Sequence, residues 1–450
     1  MSASKLKPYP SYTDSKFEFI SQFPSHWELK RMQWIGKFSA SGIDKLSVDT
    51  ESDCLMVNYT DVYGNETAEI HSNQELMKTT ATNQKIAEHH LEKGDMLFTP
   101  SSETIDDIGV SVVAVEDMPE IVYSYHLTRF RPTIPLDVNF SRFFCNSTPV
   151  LSQLSAIARG TTRQILSRMD FNTLNVAIPS EKERVVIGRF LSLKTKRITA
   201  TIQHLENNVS LLEEKRSSLI TQVVTKGLNP DAAMKDSGIE WIGKVPEHWG
   251  IIPLKFDFDI QLGKMLQNDL KKDTDTHEYY LKSANIQWNG VSLKPKSKMW
   301  FSKAEKEKYH LIKGDLLISE GGDVGRSCLY ENEYGDCYIQ NAVHRVRSTS
   351  YISTDYLYYF MRSMHHSGFI EIICNKSTIP HFTVEKVSRV RFTRPPSDEI
   401  SEIVKQLNVK CKQIQDSMNL IEDTIKKLKE YRTALISAAV TGKIDVRGQA

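Results

Sequence analysis

Two stretches of the chain carry apolar residues at alternating four- and three-residue steps. In the first, Leu191, Ile198, Leu205, Leu212 and Leu219 hold one position of the repeat, and Ile202, Val209, Arg216 and Val223 hold the other. In the second, Leu407, Ile414, Ile421, Leu428 and Leu435 answer the first set, and Cys411, Met418, Ile425, Arg432 and Ala439 the second. This spacing predicts the seam of a coiled coil. Pro179 and Pro396, each followed by Ser, are placed to start the helices, and Gly227 and Gly442 to end them. An arginine interrupts both seams at the same register. A helix of roughly 45 residues is about 65 Å long, and its apolar seam needs a cover. Each helix packing only on its own domain leaves the identical registers unexplained. Pairing the two seams buries both, and the folded segment between them, residues 228–395, favours an antiparallel return. The expected product is a rod with a globular domain at each end, related by a pseudo-two-fold axis.

Upstream of each helix the apolar period shortens. "CLMVNYTDVYG", "GDMLFT", "GVSVVAVE" and "IVYSYHLTRFRP" read as strands in the first half. "HEYYLKSANIQWNG", "GDLLISEGG", "RSCLYE" and "CYIQNAVHRVRS" do so in the second, with turns at Gly64-Asn65, Asn289-Gly290 and the Lys-Gly-Asp tripeptides. Helical patches at Phe143–Ala158 and Asp355–Ser367 follow. Each half is expected to be an α+β domain with a twisted mixed sheet.

The two halves are one unit written twice. "DSKFEFISQFPSHW" from Asp14 and "DSGIEWIGKVPEHW" from Asp236 share D-S-x-x-E-[FW]-I-x-x-[FV]-P-x-H-W. "LEKGDMLFT" at Leu91 answers "LIKGDLLIS" at Leu311, and "RFRPT" at Arg129 answers "RVRST" at Arg345. "PSEKERVVIGRFL" at Pro179 answers "PSDEISEIVKQL" at Pro396, and "LEEKRSSLITQVVTKGL" answers "LKEYRTALISAAVTGKI". Matches in the same order, with slowly drifting offsets, mark a tandem duplication. The expected division is 1–178 and 228–395 for the domains, and 179–227 and 396–446 for the helices. Lys30–His90 and Leu254–Lys308 barely align, whereas the ends of each copy match well. A shared scaffold with a divergent interior points to two sites of one kind with different ligands.

Composition narrows the classes. A chain of 450 residues exceeds what one core usually serves. Lys+Arg 57 against Asp+Glu 56 leaves a net charge of +1, so a nucleic-acid partner requires local segregation of the cations or help from another subunit. The six cysteines form no C-x-x-C pair, and no run is apolar enough for a leader or a membrane span. The expectation is a reduced, cytoplasmic protein with no membrane association.

Catalytic signatures are missing. The Gly-Lys pairs at 36, 243, 263 and 442 lack the hydroxyl residue and preceding strand of a phosphate loop. "EGGDVG" at Glu320 reads as a tight turn, and "RPPSD" at Arg394 is not the tetrapeptide of an amino-methyltransferase. The His pairs 89–90 and 365–366 lack ligand partners, and "DTD" at Asp273 is too short for a calcium loop. No catalytic residue, metal ligand or cofactor site is expected in this chain.

Two related but different domains at a set separation suit a bipartite linear target such as DNA half-sites. Arg129, Arg131, Arg159 and Arg163 in the first half, and Lys255, Lys264, Lys271, Lys272 and Lys282 in the second, are candidate phosphate neutralisers. A second reading stays open: a coiled-coil adaptor that holds partner proteins without touching DNA.

The P-x-H-W openings, the Lys-Gly-Asp turns and the terminal helices ending in "TQVVTKGL" and "SAAVTGKI" resemble the specificity subunits of type I restriction-modification enzymes. The resemblance covers nearly the whole chain, with Phe19 and Ser21 standing where the second copy has Trp241 and Gly243. It implies a non-catalytic subunit that recognises an asymmetric bipartite sequence in double-stranded DNA, one half-site per domain, with the helix pair setting the gap. It also implies two methyltransferase subunits and translocase-nuclease subunits as partners, with S-adenosylmethionine, ATP and Mg2+ on those partners. Polar segments after strands are the expected base readers. In the first domain these are Asn58, Thr60 and Tyr63; the turn carrying Thr99, Ser101, Ser102 and Thr104; and Thr161, Arg163 and Gln164, with Arg129 beside them. In the second they are Lys264; Ser283, Asn285 and Gln287; the turn from Ser319 to Arg326; Arg345; and Ser377, Thr378 and His381.

Overall fold

The computed structural model describes residues 7–292, 294, 297–374 and 380–449. Two long helices dominate it, Glu181–Lys226 and Ser397–Val440. The chain divides into two compact units, and both helices are shared between them. One unit comprises the residues up to Leu205 and those from Asp423 onward; the other is Glu206–Glu422.

In the first unit, Met96–Phe98 lies between Thr128–Pro132 and Ser111–Ala114, antiparallel to both. Gly36–Ser39 extends one edge, and Glu69–Ile70 joins the other in parallel. A second sheet pairs Ser52–Val57 with Ile121–Tyr123 in parallel and with Met77–Ala81 antiparallel. The second unit repeats this order: Leu316–Ser319 lies between Val343–Ser348 and Ser327–Leu329, with Phe258–Leu262 outside Val343–Ser348. Its second sheet pairs Thr276–Leu281 with Tyr338–Ile339 in parallel and with Ser297–Phe301 antiparallel. Both domains are therefore mixed α+β folds.

The helix pairing follows the seam. In the second unit Arg216 donates to Gln415 Oε1 at 2.7 Å, while the carbonyl of Val224 accepts from Thr393, just before the second helix begins. Numbers rising along one helix fall along the other, so the pair is antiparallel. In the first unit Arg432 reaches Thr199 Oγ1 at 3.3 Å. Each domain core takes side chains from both helices. Ile187, Phe190 and Leu191 meet Leu435, Ala439 and Val440 in the first; Ile220, Val223 and Val224 meet Ile400, Ile403 and Leu407 in the second.

The repeated P-x-H-W signature fastens the chain to these helices. Trp27 and Trp249 are buried. His26 Nε2 lies 3.1 Å from Glu183, and His248 Nε2 lies 2.5 Å from Glu399; both glutamates are in the first turns of the long helices. Trp249 Nε1 donates to Glu399 Oε2 at 2.8 Å. The glycine after each helix comes against the indole of the same unit: a β-carbon on Gly227 would lie 3.1 Å from Trp249, and one on Gly442 3.1 Å from Trp27.

The Arg-x-Arg and Lys-Gly-Asp repeats form a second fastening. Asp95 and Asp315 are almost wholly buried, and a buried carboxylate needs a matched cation. Arg131 meets Asp95 at 2.8 and 2.6 Å, and Arg347 meets Asp315 at 2.5 and 2.8 Å. Arg129 donates to the carbonyls of His90 and Glu88, and Arg345 to those of Lys308 and His310. Arg129 and Arg345, expected at the DNA, are instead committed inside the domains.

Candidate nucleic-acid interface

The same hairpin is mounted in both domains and carries a different tip in each. In the first, Phe98 faces Ser111 across the stem; in the second, Ile318 faces Ser327. Thr99 N–H donates to Val110 O at 3.0 Å, and Gly109 N–H to Thr99 O at 3.1 Å. Ser319 N–H donates to Arg326 O at 2.8 Å, and Gly325 N–H to Ser319 O at 2.9 Å. The closing glycines have φ of 80° and 81°, a conformation that side chains resist. A β-carbon there would come within 2.3 Å of Leu154 or 2.4 Å of Ile370.

Two further bonds recur. Leu166 N–H donates to Pro100 O at 2.7 Å, and Phe382 N–H to Glu320 O at 2.9 Å. Tyr59 Oη donates to Ser101 O at 2.9 Å, and Ser283 Oγ to Gly321 O at 2.9 Å. Tyr59 and Ser283 both sit in the helical turn that follows the first strand of the second sheet. Between these anchors the tips differ: Ser101–Asp107 is polar and longer, whereas Gly321–Asp323 is short and glycine-rich.

In the first domain the structure gathers the expected segments on one face. Ser101–Ser102 pairs antiparallel with Gln164–Ile165. Arg163 Nε donates to Ser101 Oγ at 3.2 Å and its guanidinium lies 5.9 Å from the Tyr59 ring centre. Gln164 Nε2 donates to Gly160 O, and Thr161 is exposed beside it. Asn58 and exposed Thr60 flank Tyr59, with Asn58 Nδ2 3.1 Å from Met77 Sδ. Asp107 organises the tip by accepting from Ser102, Thr104 and Tyr63. Burial works to raise this carboxyl, but the three hydroxyl donors hold it below the usual carboxylate range. Thr99 is buried in the mount, and Ser102 is buried within the tip.

In the second domain Ser283 bonds Ser319 Oγ beneath the tip, and Arg326 donates to Ser283 O at 3.3 Å. Asn285 is buried, its Nδ2 donating to Ser292 O, while Gln287 is exposed. His381 is exposed next to Phe382, whose amide anchors the tip. Phe382 O in turn accepts from His344 Nε2 at 2.6 Å, and burial pushes that imidazole down to about 4. Lys264 does not join this face. It is buried, 2.5 Å from Glu305 and 2.9 Å from Gln267, over the Phe301 ring. Ser319 is also buried, as part of the mount. Ser377 and Thr378 lie outside the described residues.

Sequence reasoning passed over Tyr59, Asp107, Trp288 and Arg362, and weighed His365 only as a metal ligand. Arg362 lies 5.4 Å from the Trp288 ring centre, that ring is 4.9 Å from His365, and His365 Nε2 is 3.1 Å from Asp323. A signal was present: "DIGVS" at Asp107 repeats as "DVGRS" at Asp323. Among the described residues no His, Cys, Asp or Glu cluster is arranged for a metal, and no helix is long and apolar enough to cross a membrane.

The family model of the type I restriction modification DNA specificity domain matches residues 246–429. The specificity subunit of the type I restriction enzyme MjaVIII from Methanocaldococcus jannaschii is 19% identical over 309 residues, 66% of this chain and 68% of that protein. The second copy carries a type I restriction modification DNA specificity domain. The fold agrees. A chain solved in work on complex assembly and conformational transition of the type I restriction-modification system has a TM-score of 0.72 at 16% identity, with 94% of this chain and 99% of that one covered. The HsdS subunit from Thermoanaerobacter tengcongensis gives 0.53 at 15% identity, covering 94% and 98%. The family match falls on the second copy, and the first copy is built on the same mount.

Proposed function

We propose that this chain is a non-catalytic specificity subunit of a type I restriction-modification complex that recognises an asymmetric bipartite sequence in duplex DNA, each domain reading one half-site and the paired helices fixing the gap. The observation that carries the reading is the twice-built hairpin mount with unlike tips. A shared mount presents both tips in the same way, and unlike tips read unlike bases. Exposed Thr60, Tyr63, Thr104, Thr161, Arg163, Gln287 and His381 sit on or beside these tips. Arg and amide side chains there read base edges, while cations such as Arg159, Lys255, Lys271 and Lys272 neutralise phosphates.

The subunit works in the cytoplasm within a larger complex. Two methyltransferase subunits bind S-adenosylmethionine and modify adenine, and translocase-nuclease subunits use ATP and Mg2+. Those partners enclose the duplex with this chain, which fits its near-neutral charge. Mapping methylated adenine genome-wide with and without this gene tests the reading. The expected loss is one motif of two blocks separated by a fixed gap. An unchanged methylome, or loss of an uninterrupted motif, rejects it.

A further inference from the structure

Two neighbouring guanidinium groups in the second unit have no buried carboxylate to match them among the described residues. Arg216, in the seam of the first long helix, is buried. Its Nη1 donates to Gln415 at 2.7 Å, and its Nε–H has no acceptor among the described residues. Glu213 is 3.6 Å away, but its side chain is 56% exposed. Arg362, on the helix Thr354–His366, donates from Nη1 to Tyr358 Oη at 2.7 Å and lies over the Trp288 and Tyr358 rings. Tyr358 and Cys411 pack against the same core, and the charges of both guanidinium groups reach them. Burial, and then the charge of Arg362, hold Arg216 below its ordinary value.

Two other arginines of this unit are matched by buried carboxylates. Arg347 has Asp315 at 2.5 Å and Arg394 has Asp257 at 2.8 Å, both carboxylates almost wholly buried. Two neighbouring like charges, one of them desolvated, oppose each other unless an anion offsets both. The position of the pair narrows the anion. From Arg362 the Trp288 ring leads to His365, and His365 to Asp323 on the hairpin tip. The strip therefore runs from the base-reading tip to the helix seam, where a duplex seated on the tip presents its backbone.

We propose that Arg362, backed by Arg216, holds a backbone phosphate of the DNA on the helix side of the second half-site. The inference rests on the DNA-recognition reading above and adds a contact that carries no base information. A guanidinium fork suits phosphate oxygens, and stacking on Trp288 and Tyr358 presets its plane.

The test measures binding of the assembled complex to its target duplex and to a scrambled duplex across a salt series. Wild type, Arg362→Gln and Arg362→Lys are compared, with thermal melting to confirm the fold. For Arg362→Gln the slope of log affinity against log salt is expected to fall by about 0.9, the loss of one phosphate contact. Affinity for both duplexes should drop together with the half-site preference kept, and Arg362→Lys should retain most of the wild-type slope. An unchanged slope overturns the proposal. So does a lost half-site preference at unchanged slope, which moves Arg362 to base reading. Weakened capture of the other subunits at unchanged slope also overturns it, giving the pair to an acidic protein surface. Failure of the DNA reading itself is separately visible, as wild type that does not distinguish the two duplexes.

Discussion

Tyr63 Oη donates to Asp107 Oδ2 at 2.5 Å, which ties an exposed aromatic to the carboxylate that also gathers Ser102 and Thr104. One side chain thus fixes the first hairpin tip in the form it presents to a ligand. Asp107→Ala releases all three hydroxyl groups. A preorganised tip loses less entropy on binding, so the variant should read the first half-site about 10- to 100-fold less selectively. Reading of the second half-site should stay as it was. Competition binding with duplexes altered in one half-site at a time measures both effects.

Arginines that look alike in the sequence should separate into two classes. Arg131→Ala leaves the Asp95 carboxylate buried without its cation, at a cost of about 3–5 kcal/mol. Arg163 is exposed, so Arg163→Ala should change stability by less than about 0.5 kcal/mol and weaken DNA binding instead. Denaturant unfolding beside DNA titration resolves the two. Equal destabilisation by both variants contradicts the assignment.

Acid should loosen the second mount through His344. Burial pushes its pKa from 6.5 down to about 4, so between those values the unfolded chain binds a proton that the folded chain refuses. Stability contributed by this group is present above pH 6.5 and is lost as pH falls towards 4, by up to about 3 kcal/mol. The carbonyl it holds belongs to Phe382, whose amide anchors the second tip. The stability difference between wild type and His344→Gln should therefore shift in favour of the variant across that window. A difference that stays constant with pH rules out this role for the imidazole.

The seams, the duplication and the likeness to the specificity domain were legible because they rest on local signals: a period, a repeated signature and a helix-ending glycine. The arginines were not. Arg129 and Arg345 stand within strands in a basic context, and only the folded chain brings the carbonyls of His90 and Lys308 to them. Lys264 was hidden in the same way, since Glu305 and Gln267 reach it through packing. The hairpin mount was half visible. The offset between copies is 220 at the Lys-Gly-Asp turns and 216 at "DIGVS" and "DVGRS", so the length difference falls inside the tip. His26 and His248 were clear as repeated residues, but their partners Glu183 and Glu399 lie more than a hundred positions away.

The central claim, one domain for one half-site, is tested most directly by selecting bound duplexes from a random pool with the assembled complex. Wild type is compared with a chain whose residues 28–178 come from a different specificity subunit. The account requires two sequence blocks at a fixed gap, with one block replaced in the hybrid while the other block and the gap are retained. Replacement of both blocks, or a single uninterrupted motif from wild type, contradicts it.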